Sequence, residues 1–144
     1  MEALINEIEN KTIKNDVLKF LETYGFKGLQ EAMDSYVNMQ QIYICKTRAA
    51  TSKIYICDIN YVEVHKHLIT IHTAHANYEK YGSLNKEMEI LSKYGFVKCS
   101  QNCIVPLTKI RTVTYDDVIL LDGTKIGLSK RYASKVLLEF RFFK

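Results

Sequence analysis

The sequence predicts an α+β protein: a mainly β region with many short strands and two helices, preceded by a short helical N-terminal extension. Two observations carry this. Apolar side chains recur at helical spacing through residue 40, and after it the texture becomes that of short strands rich in β-branched and aromatic residues, divided by turn residues. Charge divides at the same place. Residues 1–40 hold four lysines against seven carboxylates, a balance of −3, while the other 16 basic and nine acidic residues leave +7. Helix and strand do not alternate, so a doubly wound parallel sheet is excluded. At 144 residues with 47% hydrophobic and 25% charged residues, the chain is globular in composition, which excludes disorder and fibrous repeats. We therefore expect an extension over 1–40 and one domain over 41–144.

The helical elements come first. Leu4, Ile5 and Ile8 form a short stripe. Ile13, Val17, Phe20, Leu21 and Tyr24 then fall on one face of a 3.6-residue helix, and Gly25 follows where a left-handed residue would stop it. Leu29, Met33, Tyr36 and Val37 repeat the spacing. Such stripes either cover a sheet or form a dimer interface, and the second is the expectation here. A short helical pair has to bury its apolar face against something.

Residues 41–46 and 53–57 are near twins joined by a polar loop around Arg48, a hairpin pattern. A second hairpin spans 61–65 and 68–73 around a Lys66-His67 tip, and 77–81 is another strand. Ser83 occupies an N-cap position, with Leu84, Met88 and Leu91 on one helix face and Gly95 closing it. Residues 96–100 and 103–105 are short and extended, with Pro106 ending the second. Strands follow at 109–115 and 118–121, and Asp122-Gly123 reads as a two-residue hairpin turn into 124–128. Ser129 is expected to cap a last helix in which Tyr132, Val136 and Phe140 share a face.

Catalytic and metal signatures do not emerge. The six glycines are scattered as caps and turns, and no nucleophile elbow or His-Glu-x-x-His pair occurs. Asp116-Asp117 sits in a predicted turn, and His65, His67, His72 and His75 lie near strand ends. Cys99-x3-Cys103 is wider than a Cys-x2-Cys knuckle, and joining it to His65 and His67 takes ligands from unrelated spacings. We expect no enzyme activity, no metal and no cofactor, with Cys45, Cys57, Cys99 and Cys103 acting as free thiols. A small metal or redox protein built on Cys99 and Cys103 is the rival. No apolar run reaches the ~20 residues of a membrane-spanning helix, and Met1-Glu2-Ala3-Leu4 has no basic start of a signal peptide, so a cytoplasmic protein is expected.

Three polar segments at element ends are better candidates. Lys66-His67, Ser100-Gln101-Asn102 and Lys130-Arg131 offer cations for phosphates or guanine edges and amides for adenine, the last pair at a helix start that attracts phosphate. Each alone also reads as a solvated turn.

Their order is informative. The stretch 42–140 resembles the LytTR DNA-binding domain of bacterial transcription regulators. The resemblance rests on Asp58-Ile59-Asn60-Tyr61-Val62-Glu63, on Ile69-Thr70-Ile71-His72-Thr73, and on the run from Gly95-Phe96 through Asn102-Cys103-Ile104-Val105. It continues through Leu107-Thr108-Lys109-Ile110, Asp122-Gly123 and Leu128-Ser129-Lys130-Arg131-Tyr132. It implies small stacked antiparallel sheets whose loops, rather than a recognition helix, enter successive major grooves. By position it implies DNA contacts at Lys66, His67, Ser100, Gln101, Asn102, Lys130 and Arg131. Family members usually carry His-Arg or His-Asn where this chain has Ser100-Gln101, which implies altered base readout there, and Asn where it has Pro106. Many carry a receiver domain ahead of this one; the forty helical residues here are too few for one. The implied partner is double-stranded DNA, bound by a homodimer. The alternative is a protein-interaction module that docks a sensor or another regulator through residues 1–40.

Overall fold

The structure, a computed structural model, describes residues 2–143 and divides into two compact units between Gln40 and Gln41. The first contains α1 (Glu2–Asn6) and α2 (Lys11–Met39). Asn10 caps α2, its side-chain oxygen accepting from the amides of Thr12 and Ile13 at 3.0 and 3.1 Å. Gly25 ends the first helical run within this span, as the sequence predicts. Its φ of 67° is left-handed, and helical geometry resumes beyond it. Ile8 lies outside α1. No residue of α2 is buried, and Ile13, Tyr24, Phe26, Met33, Tyr36, Val37 and Met39 are exposed.

The second unit is built from three antiparallel sheets. β1 (Ile42–Lys46) pairs with β2 (Thr51–Tyr55) as the twin segments predict, and a 3₁₀ turn at Ile56–Asp58 takes over where the strand was expected to run to residue 57. β3 (Ile59–His65), β4 (Leu68–Thr73), β5 (Asn77–Tyr81), β6 (Phe96–Ser100) and β7 (Cys103–Pro106) make a five-stranded sheet in the order β5-β4-β3-β7-β6. Between β5 and β6 lies α3 (Leu84–Leu91), capped by the Ser83 hydroxyl accepting from Lys86 N at 3.3 Å, with Gly95 left-handed at φ 79° beyond it.

A 3₁₀ turn at Leu107–Lys109 replaces the first part of the expected strand and leads into β8 (Ile110–Val113). β9 (Asp117–Leu120) and β10 (Lys125–Gly127) complete the third sheet, and α4 (Lys130–Phe142) is the last described element. The Asp122-Gly123 turn proves to be one residue longer than predicted. Gly123 N donates to Leu120 O at 2.9 Å, so the loop is Leu121-Asp122-Gly123 with Gly123 left-handed at φ 91°.

Alternation along the central strands buries both faces of the five-stranded sheet. Val62, Ile69, Ile71, Phe96 and Ile104 face the β1–β2 hairpin and α3, against Tyr43, Cys45, Ile54, Leu84 and Leu91. Val97, Cys99, Cys103 and Val105 face the other way, against Ile110, Val118, Leu120, Ile126 and Val136 of α4. All four residues of β7 are buried, as a strand covered on both faces requires. Tyr132 and Phe140 flank Val136 on the stripe predicted for the last helix.

One charge sits inside this packing. Glu87 is 3% exposed, beside the first core, and accepts from the Tyr43 hydroxyl at 2.5 Å while pairing with Lys80 Nζ at 2.7 Å. Burial first, then the Glu87 carboxylate, push the Tyr43 phenol above its ordinary range. Unfolded Tyr43 ionises near pH ~10. The folded protein therefore holds more protons above that pH, and stability is lost as pH rises. Tyr43→Phe is expected to cost about 1–3 kcal/mol at neutral pH and to flatten the alkaline decline. Urea unfolding across the neutral and alkaline range checks this; the same alkaline decline in both proteins would contradict it. Lys80→Ala, which leaves Glu87 without its cation, is expected to cost about 3 kcal/mol in the same assay.

Candidate nucleic-acid interface

Strand pairing gathers the candidate residues at one end of the central sheet. β3 runs antiparallel to β7 with Glu63 opposite Cys103. The tip that follows β3 and the tip that precedes β7 are therefore neighbours. Their hairpin axes lie two strand spacings apart, about 10 Å.

The first tip is Lys66-His67, between paired His65 and Leu68. Both residues are left-handed, φ 49° and 66°, the geometry of a type I′ turn, which Asn-Gly adopts more readily. Gly82 N, just beyond β5, holds the turn by donating to His67 O at 2.9 Å. The second tip is Gln101-Asn102, between paired Ser100 and Cys103. Asn102 N donates to Ser100 Oγ at 3.2 Å, and Asn102 O accepts from Val64 N at 2.8 Å, tying the second tip to β3. The start of α4 is fixed to the same end, because Ser129 N donates to Cys99 O at 2.8 Å. Ser129 stands at the N-cap, yet its hydroxyl makes no capping bond, contrary to expectation. The first turn of α4 has no carboxylate, so the positive helix end is not neutralised there.

An open groove of about 680 Å³ runs between these elements and is lined by Lys66, His67, Gln101, Asn102 and Arg131. The three segments predicted separately thus meet in one place. His65, Asn85, Lys98 and Tyr132 join them, and among the described residues no carboxylate lines the groove. Lys98 Nζ lies 3.0 Å from Asn85 Oδ1. The Tyr132 ring lies beside two cations, with Lys98 Nζ 5.7 Å and the Arg131 guanidinium carbon 5.6 Å from its centre. Three cations with amide groups and no opposing charge form a surface for an anion with hydrogen-bonding edges.

Two candidates stand apart. Lys130 is outside the groove, its Nζ 6.0 Å from the Tyr115 ring. Ser100 lines an adjacent cleft of about 550 Å³ with Glu63, Asp116 and Lys125. Asn102 lines both. Lys98, Asn85 and Tyr132 were missed by sequence reasoning. The signal for Lys98 was available, since alternation places it opposite Val97 and Cys99.

The thiols lie inward of this surface. Cys99 and Cys103 are buried, with Cys99 Sγ 3.5 Å from Cys103 O. The Cys99 thiol and burial together hold Cys103 protonated, above the usual thiol range. Among the described residues, no group of three or more His, Cys, Asp or Glu is arranged to hold a metal ion. No described helix is long and apolar enough to cross a membrane.

A family model described as the LytTr DNA-binding domain matches residues 49–139, a span that includes every candidate contact residue. Among solved structures, the LytTr DNA-binding domain of a protein designated a methyl-accepting/DNA response regulator, from Bacillus cereus, is similar in fold. It is 18% identical, with a TM-score of 0.61, and the match covers 72% of this chain and 99% of that one. No curated protein sequence matches the chain significantly.

The Lys66-His67 turn predicts a trade of stability for chemistry. Neither side chain favours left-handed φ, which costs on the order of 1 kcal/mol or more per residue. Replacing the pair with Asn-Gly is expected to raise stability by about 1 kcal/mol, measured by urea unfolding. A loss of stability would show that the tip carries no such strain.

Proposed function

The chain belongs to the LytTR DNA-binding domain family, and from that membership we propose a sequence-specific, non-enzymatic transcription regulator of the bacterial cytoplasm. It reads duplex DNA with two β-hairpin tips and the start of a helix, and these enter successive major grooves. The observation that supports this most is the convergence of Lys66, His67, Gln101, Asn102 and Arg131 on one carboxylate-free groove. In this reading Arg131 addresses a guanine edge or a phosphate, Gln101 and Asn102 take adenine edges, and Lys66 and His67 hold the backbone. Lys130, outside the groove, meets a neighbouring phosphate. Ser100 acts through the turn it braces rather than by direct contact.

Residues 1–40 serve as a dimerisation unit in this proposal, placing two copies on paired half-sites. The support is the apolar surface of α2, on which Ile13, Phe26, Met33, Tyr36 and Val37 are all exposed. The same surface supports the second reading, that the extension docks a sensor or another regulator. Removing residues 1–40 separates them, because residues 41–144 hold both apolar cores. A monomeric fragment with weak but site-selective binding, from a dimeric full-length chain, supports dimerisation. A full-length chain that is itself monomeric favours docking.

Arg131→Ala tests the contact surface after a preferred site has been selected from random DNA. If Arg131 reads a base, the loss is about 1–3 kcal/mol, with relaxed preference at one position. If it touches only phosphate, affinity falls alike on all sequences and the salt dependence becomes shallower. Unchanged affinity for the selected site, measured by fluorescence anisotropy, would remove Arg131 from the interface.

A further inference from the structure

We propose that the β1–β2 loop is a further DNA contact, in which Lys46 and Arg48 grip the phosphate backbone beside the Lys66-His67 tip. The inference rests on the DNA-binding reading and extends it to residues that precede the family match, which begins at residue 49.

The sheet places the loop at the same edge as the groove. An open cavity of about 980 Å³ is bounded on one side by Lys46, Thr47, Arg48 and Ala49 and on the other by Leu68 and Tyr81. Leu68 is the residue after His67, and it pairs directly with Tyr81. Gly82, next after Tyr81, lines the first groove and bonds His67 O. The two depressions therefore lie on either side of the β4–β5 end. Strand ends and loops then follow one another along one edge: Lys46 and Arg48, Tyr81, Lys66-His67, Gln101-Asn102, Arg131.

The loop is shaped for a backbone ligand. Thr47 N donates to Ala50 O at 2.9 Å, and the Thr47 hydroxyl both donates to Ala50 O and accepts from Ala50 N, at 3.1 Å each. This turn is closed by its own bonds, so binding has little backbone left to order. Ala49 and Ala50, both exposed, present no bulk to an approaching strand. Lys46 and Arg48 are exposed and carry no ion pair among the described residues, whereas Lys80 of the same cavity is committed to Glu87. Among the described residues, Glu79 is the single carboxylate that lines the cavity. Tyr81, 80% exposed, stands between the loop and the tip, where an aromatic ring can pack on sugar or base. Two unpaired cations on a preformed loop suit phosphate oxygens, which need charge and reach but no base code.

The test is the salt dependence of binding by the full chain, wild type and Lys46→Gln/Arg48→Gln, to a labelled duplex of random sequence and to the selected site. Each phosphate contact contributes about 0.9 to the slope of log affinity against log salt. The double variant should therefore have a slope shallower by about 1–2, with the same fold loss on both duplexes. A variant slope equal to that of the wild type overturns the loop contact and leaves the DNA-binding reading in place. A loss confined to the selected site, with the slope retained, also overturns it, because the loop would then read bases. A wild-type chain that binds neither duplex at low salt overturns the underlying reading itself. Because both side chains are exposed, an unfolded variant is not expected, and its circular dichroism spectrum should match the wild type.

Discussion

The antiparallel pairing of β3 with β7 is the constraint on which the interface depends. It sets Glu63 opposite Cys103 and lets Val64 N bond Asn102 O, so two hairpins distant in sequence place their tips side by side. The pairing is in turn enforced from both faces. Val62 and Ile104 enter one core while Cys103 and Val105 enter the other. A slip of one residue would reverse every side chain of β7 between the two cores. Both layers therefore act on a single register, and the register sets where Lys66, His67, Gln101 and Asn102 stand.

Electrostatics is partitioned with the same economy. The second region carries a surplus of cations, yet the surplus is not spread evenly. Glu87 is neutralised inside by Lys80 and hydrogen-bonded by the Tyr43 hydroxyl, and Glu63 shares a hydrogen bond with His72 at 2.7 Å. The groove keeps Lys66, Lys98 and Arg131 without an opposing carboxylate. The neighbouring cleft holds Glu63 and Asp116, but the groove lining itself is positive, and that local arrangement favours an anionic partner more strongly than net charge alone. Unfavourable local geometry is concentrated at the same edge. Lys66 and His67 occupy left-handed backbone that Asn-Gly would accept more easily.

Much of this was legible in the sequence, and the failures have physical causes. The twin segments around Arg48 announced the first hairpin, and residues 77–81 were read as the strand that forms, because β-branched and aromatic runs between turn residues leave few alternatives. Gly95 was read as a helix stop and is left-handed. Gly123 was read correctly as a turn glycine but in the wrong loop. A two-residue turn and a three-residue loop both need left-handed glycine, and only the bond to Leu120 O distinguishes them. Gly25 is a helix stop in the same way as Gly95, since its positive φ separates two helical runs within α2. The Tyr43–Glu87 bond spans 44 positions, which no local pattern can report. Tyr132 is hidden from such reasoning because it lies on the core stripe of α4, where periodicity speaks of cores rather than of grooves. The resemblance supplied what periodicity could not, namely that three separate turns belong to one surface.

In the proposed function, this one edge meets DNA. Titrating the isotope-labelled full chain with its selected duplex, while following backbone amide resonances, tests it residue by residue. The largest shifts are expected at residues 65–67, 100–103 and 129–132, with Lys98 and Asn85 among the affected neighbours and the β8–β9 and β9–β10 turns quiet. Shifts concentrated on α2 or on those turns, with the Lys66-His67 and Gln101-Asn102 tips unmoved, would contradict it.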